Sequence, residues 1–407
     1  MINIIKLSSS AALVSATAAD LQATPVRANT VKRQITRIDP ADCPTATETS
    51  YIWDTKPCRD SYFSPWTYPT NNWVNPPTVN ITLAGVEVVA TVDTGSTSLV
   101  ASMALFPNNN FTRQNPTSVF YSSSHWLEEG YEEWIDMTFG PFYMRTQAII
   151  KDREVCCPTF NSTTDGHRCP TDKVARNCEC SGGCTSSVKF KRANLLSPRR
   201  PAPPPPVAYM GIGFGRGEPQ IDNAFLDVAT LNGQPITSSS QSYCPGYVIT
   251  TDGIYLGLTT QNTQDFKFVT LKQQSVAGGQ RDWSTPAMQY QIDQADQQNG
   301  TVLVDTGIPE SFFQSMPAWH SNSTVHLSVP GGVDTYTVRY EIDERGKSWN
   351  PMQPTDFQGS PMLGFMNTGR HFLNCFDIMY DPTGGNYGFR FLGDTRAPNC
   401  TNYVTVN

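Results

Sequence analysis

Two short segments of this sequence carry the residues best suited to chemistry, Asp93-Thr94-Gly95 and Asp305-Thr306-Gly307. Each follows directly on an apolar, β-branched run, VEVVATV before the first and TVLV before the second. Runs of this kind read as strands, so each aspartate stands where a strand gives way to a glycine turn. One such triplet is a turn and nothing more. Two of them, each at a strand end, describe one design used twice. Hydrolysis of a peptide bond without a metal ion or a nucleophilic side chain needs one group to take a proton from water and another to give one to the substrate. Two carboxyls held together do both, because neighbouring like charges cannot both form readily and the pair keeps one proton between them. Glycine beside each carboxyl permits close backbone approach and unusual dihedrals, and a threonine hydroxyl can bond across to the opposite loop. Asp93 and Asp305 are therefore the candidate catalytic pair, with Thr94, Gly95, Thr306 and Gly307 as their support. No metal ligand set and no cofactor is required.

The elements that must position them follow from length and composition. A chain of 407 residues exceeds one ordinary core and fits two packed lobes. Only 16% of residues are charged, and 29 Gly with 31 Pro imply frequent turns between short strands, which predicts an all-β protein. Val79 to Ser102 reads as a hairpin turning at Ala84-Gly85, and Trp134 to Ile150 as another turning at Gly140-Pro141. The expected division is a leader over 1–33, a lead-in segment over 34–75, an N-terminal lobe over 76–262 and a C-terminal lobe over 263–407. An insertion at 156–206, rich first in Cys and then in Pro, interrupts the first lobe. Its proline run fixes the backbone and reads as a stiff exposed spacer.

The first residues, MINIIKLSSSAALVSATAAD, carry one Lys, a small apolar stretch and an A-x-A-like end near Ala16 and Ala18, the pattern of a secretory signal. Lys32-Arg33 then marks a propeptide cleavage site, which makes the chain a zymogen whose mature form begins near Gln34. N-x-S/T sequons stand at Asn80, Asn110, Asn161, Asn299, Asn322 and Asn399. With eleven Cys, they favour an oxidising route. After the leader no stretch of about 20 apolar residues occurs, and the ending TNYVTVN offers no lipid-anchor tail. A net charge of −7 gives no reason to expect a nucleic-acid partner. A secreted, monomeric, extracellular or vacuolar glycoprotein acting on protein or peptide is expected, with no membrane anchor.

The paired triplets and their order resemble the pepsin-like aspartic proteases. In that family an apolar-apolar-Gly segment threads against each D-T-G loop. Tyr209-Met210-Gly211 fills that place in the first lobe and Met362-Leu363-Gly364 in the second. The closing segment, with Tyr380-Asp381 before a glycine-rich turn, is similar to the family's last strands, and the resemblance covers roughly residues 70 to 400. It implies a bilobal fold with the active-site cleft between two β-rich lobes, and endopeptidase activity at acid pH. Asp93 and Asp305 would hold the attacking water, Thr94 and Thr306 would bond between lobes, and Ser96 would bond the outer oxygen of Asp93. The hairpin at Phe139-Gly140 would be the mobile flap over the substrate.

Three positions depart from the family. Ile308 stands where a Ser or Thr usually supports the second aspartate, so that support is expected to be missing. Phe139 lacks the hydroxyl of the usual flap Tyr. Leu99-Val100 stand where a Trp often partners that Tyr. These leave room for an alternative of another class, a non-catalytic pepsin-like binding or inhibitor protein, although both aspartates are retained.

Among the cysteines, Cys43 and Cys58 could close a small loop. Cys156, Cys157, Cys169, Cys178, Cys180 and Cys184 read as three disulfides in one of 15 pairings rather than a zinc site, since no C-x-x-C pair repeats. Cys375 and Cys400 are the natural pair of the second lobe, leaving Cys244 as the odd one. The glycines from Gly211 to Gly217 do not fit a nucleotide-binding G-x-G-x-x-G, and no G-x-S-x-G is present.

Overall fold

The computed structural model describes residues 58–407 apart from 109–110, 122–124, 176–207, 216–222, 237–241, 275–281, 317–318, 332–333, 344–349, 353–356 and 362–363. The leader, the dibasic pair, Cys43, Asn110, Cys178, Cys180, Cys184 and the proline run lie outside the described residues.

The regular structure of the described residues is mostly strand, with only short helical turns, as the turn-rich composition predicts. A nine-stranded sheet uses chain from Thr78 to Pro235, and an eight-stranded sheet uses chain from Ala287 to Val406. A six-stranded sheet takes strands from across the sequence, including Tyr62–Pro65, Tyr247–Ile249 and Phe376–Asp381, so it fastens early chain to late chain. The strand Thr78–Leu83 shows why such segments form: Val79, Ile81 and Leu83 point into the core while Asn80 is exposed, the alternation a half-buried strand requires. The asparagines at 80, 161, 299, 322 and 399 are all exposed.

The two D-T-G loops are built alike. Strand Val86–Asp93 runs in, strand Thr97–Ser102 runs out, and Ala208–Ile212 is inserted between them. The insert is parallel to the first, with Asp93 opposite Gly211, and antiparallel to the second, with Ser98 opposite Gly211. In the second half Gln298–Leu303 runs in, Ser311–Ser315 runs out, and Phe365–Asn367 is inserted between them. Tyr209-Met210-Gly211 thus occupies the expected place. Of Met362-Leu363-Gly364, the first two lie outside the described residues, and the strand inserted in the second half is Phe365–Asn367. Register makes the correspondence explicit. Thr91, two residues before Asp93, faces Tyr209, and Leu303, two residues before Asp305, faces Asn367. The second insert therefore continues as Asn367-Thr368-Gly369, a polar version of the motif that an apolar search passes over.

The cysteine pairing corrects one expectation. Cys58 is bonded to Cys244, 186 residues away, so Cys244 is not the odd cysteine and Cys58 does not close a loop with Cys43. Local spacing could not reveal this, because the partners come together only when Tyr62–Pro65 and Tyr247–Ile249 join one sheet. Cys375–Cys400 forms as expected, Cys157–Cys169 forms within the cysteine-rich block, and Cys156 is also disulfide-bonded. Non-reducing peptide mapping is expected to recover one crosslinked peptide containing Cys58 and Cys244. Replacing both by Ala is expected to cost about 2–4 kcal/mol in denaturant unfolding, since the bond closes a long loop.

Candidate active site

Asp93 and Asp305 are 3% and 7% exposed, and each is delivered by the end of a buried strand. The loops approach so closely that each glycine is covered by the other loop's aspartate. A Cβ on Gly95 would fall 2.2 Å from Asp305 Cγ, and one on Gly307 would fall 2.6 Å from Asp93 Oδ1. No other residue fits at either position.

Four buried hydrogen bonds fix this approach. The Thr94 amide donates to Thr306 Oγ1 at 3.0 Å, and the Thr306 amide donates to Thr94 Oγ1 at 3.1 Å. Each hydroxyl then donates to the strand preceding the opposite aspartate, Thr306 Oγ1 to the Val92 carbonyl at 2.7 Å and Thr94 Oγ1 to the Val304 carbonyl. Both threonines use donor and acceptor capacity across the interface, which is what this residue type offers and Val would not.

The carboxyls are held differently. Asp93 Oδ1 accepts from the Gly95 amide at 2.7 Å, while its Oδ2 accepts from the Ser96 hydroxyl and from the Tyr209 hydroxyl at 2.7 Å. Asp305 Oδ1 accepts from the Gly307 amide at 2.8 Å and Oδ2 from Asn367 Nδ2 at 2.8 Å. Burial, followed by the facing Asp93 carboxylate, pushes the Asp305 carboxyl up to about 7 against the downward pull of Asn367 and Gly307. One member of the pair thus keeps a proton in acid solution beside a partner surrounded by donors, the division that general acid-base chemistry needs.

Ile308 lacks a hydroxyl, so the usual support is missing as expected, but Asp305 is not left without a side-chain donor. The bond comes instead from Asn367 on the threaded segment, whose amide is oriented by its own Oδ1 accepting from the Gly369 amide at 3.0 Å. The next residues brace the loop from behind. The buried Arg370 donates to the carbonyls of Trp73, Gly307 and Val74 at 2.9, 3.2 and 2.8 Å. Burial lowers this guanidinium only to about 10, so it stays charged at any pH the site would work at. Its amide donates to the Ile308 carbonyl, and His371 Nδ1 donates to the Pro309 carbonyl at 2.7 Å.

Phe139 and Gly140 form the turn of a hairpin, as expected, but they are not a flap. Phe139 is 1% exposed, with its ring against Tyr62 and Phe225, and a Cβ on Gly140 would meet the Tyr62 ring. Phe139 belongs to the core at the far end of the 14-residue strand Trp126–Phe139, and Gly140 is exposed just beyond it. The hairpin beside the aspartates is formed by the start of that strand with Pro116–Tyr121. Its Tyr121 ring packs edge-on against Tyr209, 5.6 Å between centroids, and Tyr209 in turn touches Asp93. A tyrosine therefore is present over the site. Its hydroxyl donates to Glu128 Oε2 at 2.9 Å, and Lys151 holds the other Glu128 oxygen and Glu154. The absent Trp is accounted for too, since Val100 packs with Ile149, Val119 and Tyr209 while Glu128 receives the tyrosine hydroxyl. Tyr121, Asn367 and Arg370 were the residues the sequence concealed, together with the bond that Tyr209 of the expected threaded segment makes to Asp93. Tertiary assembly, not a local motif, brings Tyr121, Asn367 and Arg370 to the site.

No family model matches this chain. No curated protein matches it either. Among solved structures, the aspartic proteinase from Irpex lacteus superposes with a TM-score of 0.43 at 14% identity, covering 84% of this chain and all of that one.

The raised Asp305 carboxyl has a consequence for stability. The folded protein binds its proton more tightly than the unfolded chain does, so that stabilisation is complete below the ordinary carboxylate value of about 4 and is lost as pH rises toward 7. Thermal unfolding is expected to show a falling melting temperature across this window. Asp305→Asn, which cannot ionise, is expected to flatten that slope; an equal slope in the variant would contradict the assignment.

Proposed function

We propose that this chain is a secreted aspartic endopeptidase acting at acid pH. The observation that carries the reading is the pair of buried, facing carboxyls, one of which retains its proton in acid. A water held between them loses a proton to Asp93 as its oxygen attacks the peptide carbonyl, and Asp305 gives its proton to the carbonyl oxygen. The resulting gem-diol collapses when Asp93 passes its proton to the leaving nitrogen and a diol hydroxyl returns one to Asp305. The C–N bond breaks, and both carboxyls regain their starting states. The half-buried hairpin carrying Tyr121 would cover an extended peptide, with apolar side chains favoured by the aromatic lining. The disulfides and the exposed sequon asparagines support passage through an oxidising secretory route.

The chain cut after Arg33 is expected to cleave a denatured protein in acid and to be blocked by a statine-type inhibitor. Asp93→Asn is expected to lower the rate by about 10²–10⁴-fold, the range supplied by a positioned proton-transfer group. Absent or inhibitor-insensitive activity would favour the non-catalytic binding protein.

The lid anchor gives a separate expectation. Glu128→Leu removes the acceptor of the Tyr121 hydroxyl and is expected to raise KM about tenfold, as loss of a hydrogen bond to a charged group allows. Glu128→Gln, which keeps an acceptor oxygen, is expected to recover most of that loss in peptide-hydrolysis kinetics.

A further inference from the structure

The register of the two threaded segments places Tyr209 and Asn367 at equivalent positions, each facing the residue two before an aspartate. Each sends a donor to Oδ2 of the aspartate in its own half, the phenol to Asp93 at 2.7 Å and the amide to Asp305 at 2.8 Å. Where apolar side chains would only pack, this chain puts two polar ones, and each is held in place by its own contacts. Tyr209 is fixed by the Tyr121 ring and by Val100, and Asn367 by the Gly369 amide.

We propose that Tyr209 and Asn367 are a matched pair of positioning residues that set the two edges of the pH range over which the dyad works, Tyr209 the acid edge through Asp93 and Asn367 the alkaline edge through Asp305. This rests on the reading of the site as an acid peptidase. A donor to a carboxylate favours its charged form. Tyr209 therefore opposes protonation of the base, and Asn367 eases loss of the proton from the acid. The phenol remains a donor throughout, because burial and the neighbouring carboxylates hold it well above its usual range. The ionisable groups nearest the pair are Tyr121 on the hairpin strand, Tyr247 on the six-stranded sheet and Arg370 behind the second loop; one step further out stand Glu128 on the Tyr121 hydroxyl, Glu310 facing Arg370, and His371 on the Pro309 carbonyl. Burial keeps both phenols neutral in acid, and Arg370 keeps its charge. None of these three changes state across the acid range; His371, pushed down to about 4 by burial, does, but it meets the second loop at the Pro309 carbonyl and contacts neither Tyr209 nor Asn367, so the two substitutions leave its contribution in place.

The two substitutions are expected to act on opposite limbs of the kcat/KM profile. Tyr209→Phe is expected to move the acid limb up by about one pH unit and narrow the range, while Asn367→Leu moves the alkaline limb up by about one unit and widens it. Loss of packing alone would lower the plateau and leave both limbs in place, which would overturn the proposal. A second readout needs neither activity nor a variant. In the wild-type chain with Cζ-labelled tyrosine and labelled asparagine amides, the Tyr209 carbon and the Asn367 side-chain amide are expected to shift as the dyad titrates. If the wild type cleaves nothing yet both resonances move, the peptidase reading fails and the pairing stands; resonances that stay fixed through the titration would refute the pairing.

Discussion

Everything at the centre of this molecule depends on the reciprocal bonding of Thr94 and Thr306. Four buried bonds hold two loops together whose aspartates would otherwise repel, and they use both the hydroxyl and the backbone amide of each threonine. Burial first, and the crowding of the two carboxyls second, leave one of them protonated, which is the origin of the raised Asp305. The same crowding dictates glycine at 95 and 307, since a methyl group on either would overlap the facing carboxyl. Geometry and proton affinity here are two results of one constraint.

Within that near-symmetric frame the two aspartates differ in their surroundings. Asp93 has Ser96 and Tyr209 on one oxygen, whereas Asp305 has Asn367 on the matching oxygen. Behind Asp305 the loop is fastened through Arg370 and His371 to the carbonyls of residues 307, 309, 73 and 74. The segment from Asn367 to His371 therefore supplies in one stretch the carboxylate donor, the glycine turn and the brace. Its polar character suits these duties and disguises it as a loop.

How much could be read in advance follows from how local each signal is. The strand-then-D-T-G design is contiguous, so Asp93, Asp305 and their Thr and Gly neighbours were legible, as was the all-β class from Gly, Pro and β-branched content. The first threaded segment kept its apolar-apolar-Gly form at 209–211 and was legible too; the second, Asn367-Thr368-Gly369, did not and was misplaced by five residues toward the N-terminus. The flap was sought at the most obvious glycine turn, Gly140, but that turn closes a core hairpin. The hairpin with Tyr121 is recognisable only from its pairing and from the contact with Tyr209. Cys58–Cys244 was hidden for the same reason, because its partners meet through sheet assembly across 186 residues.

The account stands or falls on whether Asp93 and Asp305 titrate as one coupled centre. Carbon-13 observation of the two side-chain carboxyls across the pH range tests this directly. Two separated steps, each felt by both carbons and the upper one near 7, are the predicted result, with the Asp305 step moving down in Asp93→Asn when the facing charge is removed. Two independent carboxyls titrating together at the ordinary value of about 4 would contradict it.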